Sequence, residues 1–191
     1  MIENMLEEIN RLPQKFIKNL DFNLSSCKVY LVQDFDLSLL DNMVSFGLNI
    51  FGELGMNEWG LVPQIRHGSV YILKEDDQTD IMGLAIFMRD WENTEKAYLF
   101  DFAIDKEIQG HGFGRQFLKI IAENLLEQDF KKISLTVDVE NEPAIRLYRH
   151  IGFKPVEYSR NEYGKGHNRY IMEWDITGFK EIEKRQPTNL N

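Results

Sequence analysis

One cysteine, Cys27, in 191 residues cannot close an intrachain disulfide, so the disulfide-stapled secreted folds are excluded. Long apolar runs are also missing. The longest, about Gly83 to Met88, is far short of the roughly 20 residues that a membrane span requires, and no membrane partner is expected. Basic charge is scarce: 22 Lys and Arg stand against 31 Asp and Glu, a net charge of −9. The densest basic patches are as short as Lys131-Lys132, too little for the counterion release that drives nucleic-acid binding. Nucleic acid is therefore not an expected partner, and a cationic one fits better. Four histidines, His67, His111, His150 and His167, lie far apart with no His-Glu-x-x-His pair and no cysteine cluster, so no metal site is expected. The segment Met1-Ile2-Glu3-Asn4-Met5-Leu6-Glu7-Glu8 carries acids where a signal peptide carries basic residues, and a cytoplasmic location is the expectation.

What is present suits one globular domain. Apolar residues make up 43% of the chain and aromatics 12%, and a domain of this length buries roughly 70% of its unfolded surface. Ile2, Leu6, Ile9, Leu12, Phe16 and Leu20 recur at steps of three and four, interrupted by Pro13, which predicts one or two short helices over residues 2–20. Residues 1–24 are therefore read as a helical extension that either packs on the body or serves as a lid or oligomerisation arm. A strand is expected at Lys28 to Val32, then a helix capped by Asp36 with Leu37, Leu40, Val44, Leu48 and Phe51 at helical spacing, ended by Gly52 and Gly55. A second short helix is expected from Asn57 to about Arg66. Strands follow at Ser69 to Leu73, Ile81 to Arg89 and Ala97 to Ile104. A helix then carries Phe113, Phe117, Leu118, Ile121, Ala122, Leu125 and Leu126; a strand spans Ile133 to Val137; Asn141 and Pro143 open a helix that Gly152 ends. Phe153 to Arg160 and Arg169 to Ile176 close the fold as strands. Strands consecutive in places and helix-separated in others predict an α+β mixed sheet covered by helices, over residues 25–179, with a polar tail at 180–191.

Two segments carry chemistry. Gln109-Gly110-His111-Gly112-Phe113-Gly114-Arg115 lies between a strand and a helix. Its glycines let the backbone approach a ligand closely, and the following helix N-terminus offers unpaired N–H groups with partial positive charge, so a phosphate or pyrophosphate is the expected guest and Arg115 adds a full charge. The dinucleotide fingerprint Gly-x-Gly-x-x-Gly fails at Arg115. The second segment is Asn141-Glu142-Pro143-Ala144-Ile145-Arg146-Leu147-Tyr148, followed by Gly152-Phe153. Its spacing turns Tyr148 to the inward helix face, where a buried hydroxyl needs a partner.

Asp101-Phe102-Ala103-Ile104 ending a strand, Gln-x-x-Gly-x-Gly opening a helix, a strand, then Asn-x-x-Ala-x-x-Leu-Tyr-x-x-x-Gly-Phe resembles the GCN5-related N-acetyltransferase (GNAT) superfamily in both motifs, their order and their separation. The resemblance covers about Lys28 to Ile176. It implies a central, mostly antiparallel sheet of about seven strands, and acetyl-coenzyme A as co-substrate. It implies that the loop from Gln109 through Gly110, His111, Gly112, Phe113 and Gly114, with Arg115, holds the pyrophosphate. Phe102, Ala103 and Ile104 would meet the pantetheine arm and thioester from the strand edge, Asn141 and Ala144 the same arm, and Tyr148 would protonate the departing thiolate. A phenol of pKa about 10 is chemically suited to that role.

The amine acceptor must lose a proton before it attacks. Asp101 is the leading candidate base. Polyamine-acetylating members of the superfamily place an adjacent acidic pair there, and this chain has Phe100 at the first position. Tyr163-Gly164-Lys165-Gly166-His167-Asn168-Arg169-Tyr170-Ile171-Met172 looks more like the branch that acetylates protein N-termini, whose glutamate base corresponds to Thr136 here. Asp138, two residues on, either substitutes through water or ends the strand in solvent; Glu53 and Glu58 are candidates for binding a cationic acceptor; Tyr163 and His167 either line the acceptor pocket or belong to a mobile loop. The expected function is acetyl transfer from acetyl-coenzyme A to a primary amine of a small molecule, peptide or protein by direct attack in a ternary complex, the alternative being a non-catalytic acyl-coenzyme A sensor or scaffold. The sequence leaves homodimerisation open.

Overall fold

In the computed structural model, residues 15–22, 25–75 and 78–178 are described. Eight strands, β1 Lys15–Phe22, β2 Ser25–Val32, β3 Ser69–Glu75, β4 Gly83–Arg89, β5 Lys96–Ile104, β6 Lys132–Asp138, β7 Lys154–Ser159 and β8 Arg169–Asp175, form a sheet in the order β1-β2-β3-β4-β5-β6-β8-β7. The registers of β1–β2, β2–β3, β6–β8 and β7–β8 are antiparallel and that of β5–β6 is parallel. Among the described residues four α-helices accompany them: α1 Leu37–Phe51, α2 Glu58–His67, α3 Phe113–Glu127 and α4 Glu142–Ile151. The mixed α/β architecture expected from the order of elements is the one observed.

The N-terminal expectation needs correction. Lys15–Phe22 is a strand, paired with β2 from Lys15↔Leu31 to Phe22↔Ser25, and not the end of a helix. Leu20 and Phe22 fit period two as readily as Phe16 and Leu20 fit a step of four, and only two residues separate Phe22 from Ser25, a hairpin spacing. Ladder pairing with β2 overrides the helical spacing and raises the strand number from about seven to eight. Residues 1–14 and the tail beyond residue 178 lie outside the described residues. The short helix expected near Asn57 forms at Glu58–His67 despite Pro63, because the Asn57 side chain accepts from the Gly60 N–H and caps it.

The chain divides into two compact units, one comprising residues up to 86 together with Asp101–Phe113, the other Phe87–Phe100 together with residues from 114 onward. In the first, β3 and β4 bury continuous runs, Val70 to Leu73 and Leu84 to Ile86, the pattern of strands covered on both faces. Alternate residues Val70, Ile72, Leu84 and Ile86 turn toward one cluster with Leu40, Met43 and Phe46 of α1, Leu61 and Ile65 of α2, Val32, Ile81 and Ala103. Asp36 caps α1 by accepting from the Leu39 N–H, as its sequence position predicts. In the second unit, Phe117, Leu118, Ile121 and Leu125 repeat along the buried stripe of α3, while Ile133, Leu135 and Val137 of β6 and Met172 and Trp174 of β8 are buried. Phe153 stacks edge-on with Tyr148 (centroids 5.5 Å) and tilts against Trp174 (5.4 Å). Gly152 ends α4 at φ +131°, and a Cβ there would meet Trp174 Nε1 at 2.9 Å. Only glycine suits that corner.

Candidate functional site

The glycine-rich loop is built by the exit of β5. Asp105 accepts from the Glu107 N–H (2.7 Å) to start a 3-10 turn over Lys106–Ile108, while its own N–H donates to the Met82 C=O (2.8 Å). The Gln109 side chain reaches back and donates from Nε2 to the Ile104 C=O (2.9 Å), closing the loop on the strand that precedes it. Gly110 and Gly112 then adopt φ +81° and +88°, which side chains rarely tolerate, and the chain turns into α3. Gln109 to Gly112 are exposed, Phe113 is buried as an anchor, and Arg115 lies exposed in the first turn of α3, which carries no acidic residue. Orphan N–H groups of a 15-residue helix, a flanking cation and no competing carboxylate suit an anionic guest, so the residues present fit the pyrophosphate of acetyl-coenzyme A. His111 Nδ1 lies 3.1 Å from the Gln109 C=O, which holds the imidazole against the loop.

β5 and β6 pair over only four positions, Lys96↔Lys132 to Leu99↔Leu135, and β5 runs five residues further, through Phe100, Asp101, Phe102, Ala103 and Ile104. Ala103 and Ile104 are buried, and Ile104 already has its carbonyl bonded to Gln109. Asp101 is largely buried, and burial pushes its carboxyl up from 3.8 to about 6, against a smaller opposing effect of the Phe102 N–H.

The second unit holds the other motif. Asn141 caps α4 by accepting from the Ala144 N–H (3.2 Å), with Pro143 in the first turn. Tyr148 is buried on the inward face, as the spacing predicts, and its ring is held by Phe153. Asn141, Ala144 and Tyr148 thus share one helix, their relative placement set by its geometry.

A group that sequence reasoning only partly found lies on β5, β6 and the loop between β7 and β8. Tyr98 and Thr136 share a hydrogen bond (3.0 Å), and Thr136 shares another with the Tyr163 hydroxyl (3.3 Å). Burial pushes Tyr98 up to about 12, so it remains a neutral phenol at physiological pH. Tyr98 pairs with Ser134 in the parallel register, and Thr136 is the next residue on the same face, a diagonal pairing visible in sequence only once that register is known. Thr136, where a glutamate was the comparison, supplies a hydroxyl link. Asp138 ends β6 partly exposed, with both carboxylate oxygens engaged. Its Oδ1 accepts from the Glu140 N–H, its Oδ2 pairs with Arg169, and these contacts hold it below the usual carboxylate range. Tyr163 and His167 sit in a loop laced by its own bonds, with Gly166 N–H donating to Asn161 Oδ1 (2.8 Å) and Asn161 N–H to Asn168 Oδ1 (3.0 Å). Glu53 and Glu58 are exposed on either side of the Gly55 turn in the first unit, and Lys106 ties the end of α1 to the turn before the glycine loop by donating to the Asn49 C=O (3.3 Å).

The chain is similar to known proteins. Residues 44–153 match the model of the acetyltransferase (GNAT) family. The chain is 32% identical over 80 residues to ribosomal protein bS18-alanine N-acetyltransferase of Salmonella typhimurium, covering 41% of this chain and 54% of that one. It is 35% identical over 81 residues to a probable spermine N(1)-acetyltransferase of Bacillus subtilis subsp. natto, covering 39% and 53%. The chain thus spans about half the length of the curated relatives it matches. The crystal structure of the ribosomal-protein-S18-alanine N-acetyltransferase from Escherichia coli superposes with a TM-score of 0.64 over 85% of this chain and 99% of that one, at 20% identity, a likeness of fold. More than half of this sequence lies inside the family match, and the chain belongs to the acetyltransferase (GNAT) family.

Proposed function

We propose that the protein is an N-acetyltransferase that moves an acetyl group from acetyl-coenzyme A to a primary amine. The observation that carries this reading is the pair of positive-φ glycines, Gly110 and Gly112, that turn β5 into the N-terminus of α3 beside Arg115. Backbone N–H groups of Gly110 to Gly114 hold the pyrophosphate, and the backbone of Phe102, Ala103 and Ile104 guides the pantetheine arm. Asn141, whose Oδ1 is engaged as a cap, meets the arm through Nδ2, and small Ala144 leaves room for it.

Chemistry then needs two proton movements. An alkyl ammonium has a pKa near 10, so the acceptor gives a proton to a base before its nitrogen attacks the thioester carbonyl. Asp101 is that base, since a carboxyl titrating at about 6 is ionised at neutral pH yet more basic than an ordinary aspartate. The N–C bond forms, the C–S bond breaks, and Tyr148 gives its phenolic proton to the leaving thiolate. Glu53 and Glu58 draw a cationic acceptor toward the first unit. The relatives act on a protein alanine N-terminus and, in name, on spermine; the single Asp101 where polyamine enzymes carry an acidic pair favours a peptide or protein acceptor.

Thiol release from acetyl-coenzyme A, measured separately with spermine and with a peptide beginning in alanine, tests the reading. Tyr148→Phe should lower kcat by tenfold or more, on the order of the contribution of one general acid, with acetyl-coenzyme A affinity nearly unchanged. Weakened coenzyme binding with normal kcat would refute the role of Tyr148; binding without turnover of either amine by the wild type would favour a sensing module.

A further inference from the structure

α1 ends without a cation of its own. Its last turn carries no basic residue, and the final carbonyls, which have no helical N–H beyond them, gather partial negative charge. The Gly52 N–H donates to the Leu48 C=O, and the chain then folds back against the helix: a Cβ at Gly55 would stand 2.8 Å from the Leu48 N and 2.9 Å from the Gly47 carbonyl oxygen. The next carbonyl, that of Asn49, accepts from Lys106 Nζ (3.3 Å), 57 positions further along the chain. The cation that this helix end lacks in sequence is thus supplied by another element. Lys106 opens the 3-10 turn Lys106–Ile108, directly before Gln109 and the glycine loop, and this turn belongs to the same compact unit as α1. Two other ties hold the turn to its surroundings and to itself, Asp105 N–H to the Met82 C=O (2.8 Å) and Glu107 N–H to Asp105 Oδ1 (2.7 Å). Lys106 adds the link to a helix.

We infer that Lys106 is a positioning residue for the coenzyme: as the cation at the C-terminus of α1 it fixes the turn from which the glycine loop springs, and it sets acetyl-coenzyme A affinity through the shape of that loop. The inference rests on the reading of the glycine loop as the coenzyme site. A loop held beforehand in its binding shape spares the ordering cost at binding. The link is also reciprocal, so coenzyme bound at the loop steadies the end of α1.

Amide hydrogen exchange and coenzyme titration test it together. Without coenzyme, the bonded amides on both sides of the link, Gly52 and Gly55 at the end of α1 and Asp105 and Ile108 in the turn, should exchange roughly two- to fivefold faster in Lys106→Gln, the scale of one cation at a helix C-terminus. Amides of β3 should keep wild-type rates. Calorimetric titration should give an acetyl-coenzyme A Kd raised by about the same factor, and Lys106→Arg, which keeps the cation, should restore both readouts. In the wild type, acetyl-coenzyme A should slow exchange at Gly52 and Gly55, and Lys106→Gln should abolish that protection. Unchanged exchange at Gly52 and Gly55 in coenzyme-free Lys106→Gln overturns the inference even if Kd rises, because a lysine that attracts the phosphates directly weakens binding without disturbing the helix end. Faster exchange throughout β3 overturns it as well, since the effect is then a general loss of stability. Wild type that binds no acetyl-coenzyme A counts against the coenzyme reading of the loop instead, and exchange at Gly52 and Asp105 alone then decides whether Lys106 holds the turn to α1.

Discussion

Replacing Asp101 by asparagine should make the protein more stable at pH 8 and at the same time inactive. The carboxyl titrates at about 6 instead of 3.8 because burial disfavours its ionised form. At about 1.4 kcal/mol per tenfold change in proton affinity, keeping Asp101 charged costs the fold on the order of 3 kcal/mol at neutral pH. The sign follows from the raised folded value. Below about pH 4 the group is protonated in folded and unfolded chains alike and costs nothing. Between 4 and 6 the unfolded chain ionises while the folded one retains its proton, so stability falls as pH rises, and above about 6 the full penalty persists. Asparagine is neutral throughout and similar in shape. The melting temperature of Asp101→Asn should therefore exceed that of wild type by roughly 6 to 12 °C at pH 8, using 2–4 °C per kcal/mol for a chain of this size, and by only roughly 2 to 4 °C at pH 4.5, where the penalty has fallen to about 1 kcal/mol. Asp90, Asp138 and Asp175, held below the ordinary carboxylate value chiefly by hydrogen bonds, lose their stabilisation as pH falls, but they do so equally in both proteins and cancel in the difference. Scanning calorimetry at both pH values, beside the pH profile of kcat/KM, measures the two sides. A stability difference independent of pH, or an Asp101→Asn enzyme that keeps the wild-type rate above pH 7, would refute the reasoning.

At φ +88°, Gly112→Val should reduce acetyl-coenzyme A affinity at least tenfold through a distorted loop, read by calorimetric titration; Gly112→Ala should show the same trend more weakly, and unchanged binding in the valine variant removes the loop from the coenzyme site. Gly152→Ala combines φ +131° with a Cβ placed 2.9 Å from Trp174 Nε1, and should destabilise the protein by about 2 kcal/mol or more, seen as a lower urea midpoint with altered tryptophan emission. A midpoint within error of wild type would show that the corner relaxes at little cost.

How far the site is legible in sequence depends on how local each determinant is. Asp36, Asn57 and Asn141 cap helices through the third N–H onward, a relation written within four residues; Asp36 was legible as a cap, and Asn57 and Asn141 as the starts of their helices. The glycine loop was visible for the same reason: Gly110 and Gly112 must take the positive φ that the turn into α3 demands. Lys15–Phe22 was misread because its apolar spacing fits a helix and a strand alike, and only the partner strand decides between them. The roles of Asp138 and Arg169 depend on a register that joins residues 31 apart, and the Tyr98–Thr136 link on a parallel pairing 38 apart. A parallel register cannot be read from a turn, since no short loop sets it. Thr136 makes the point physically. At a position where a carboxylate would have required charge compensation, a short hydroxyl can sit between two tyrosines and pass hydrogen bonding from β5 to the loop before β8. Asp101 is then the carboxyl whose pKa burial raises among the described residues, which is why it is the base we propose.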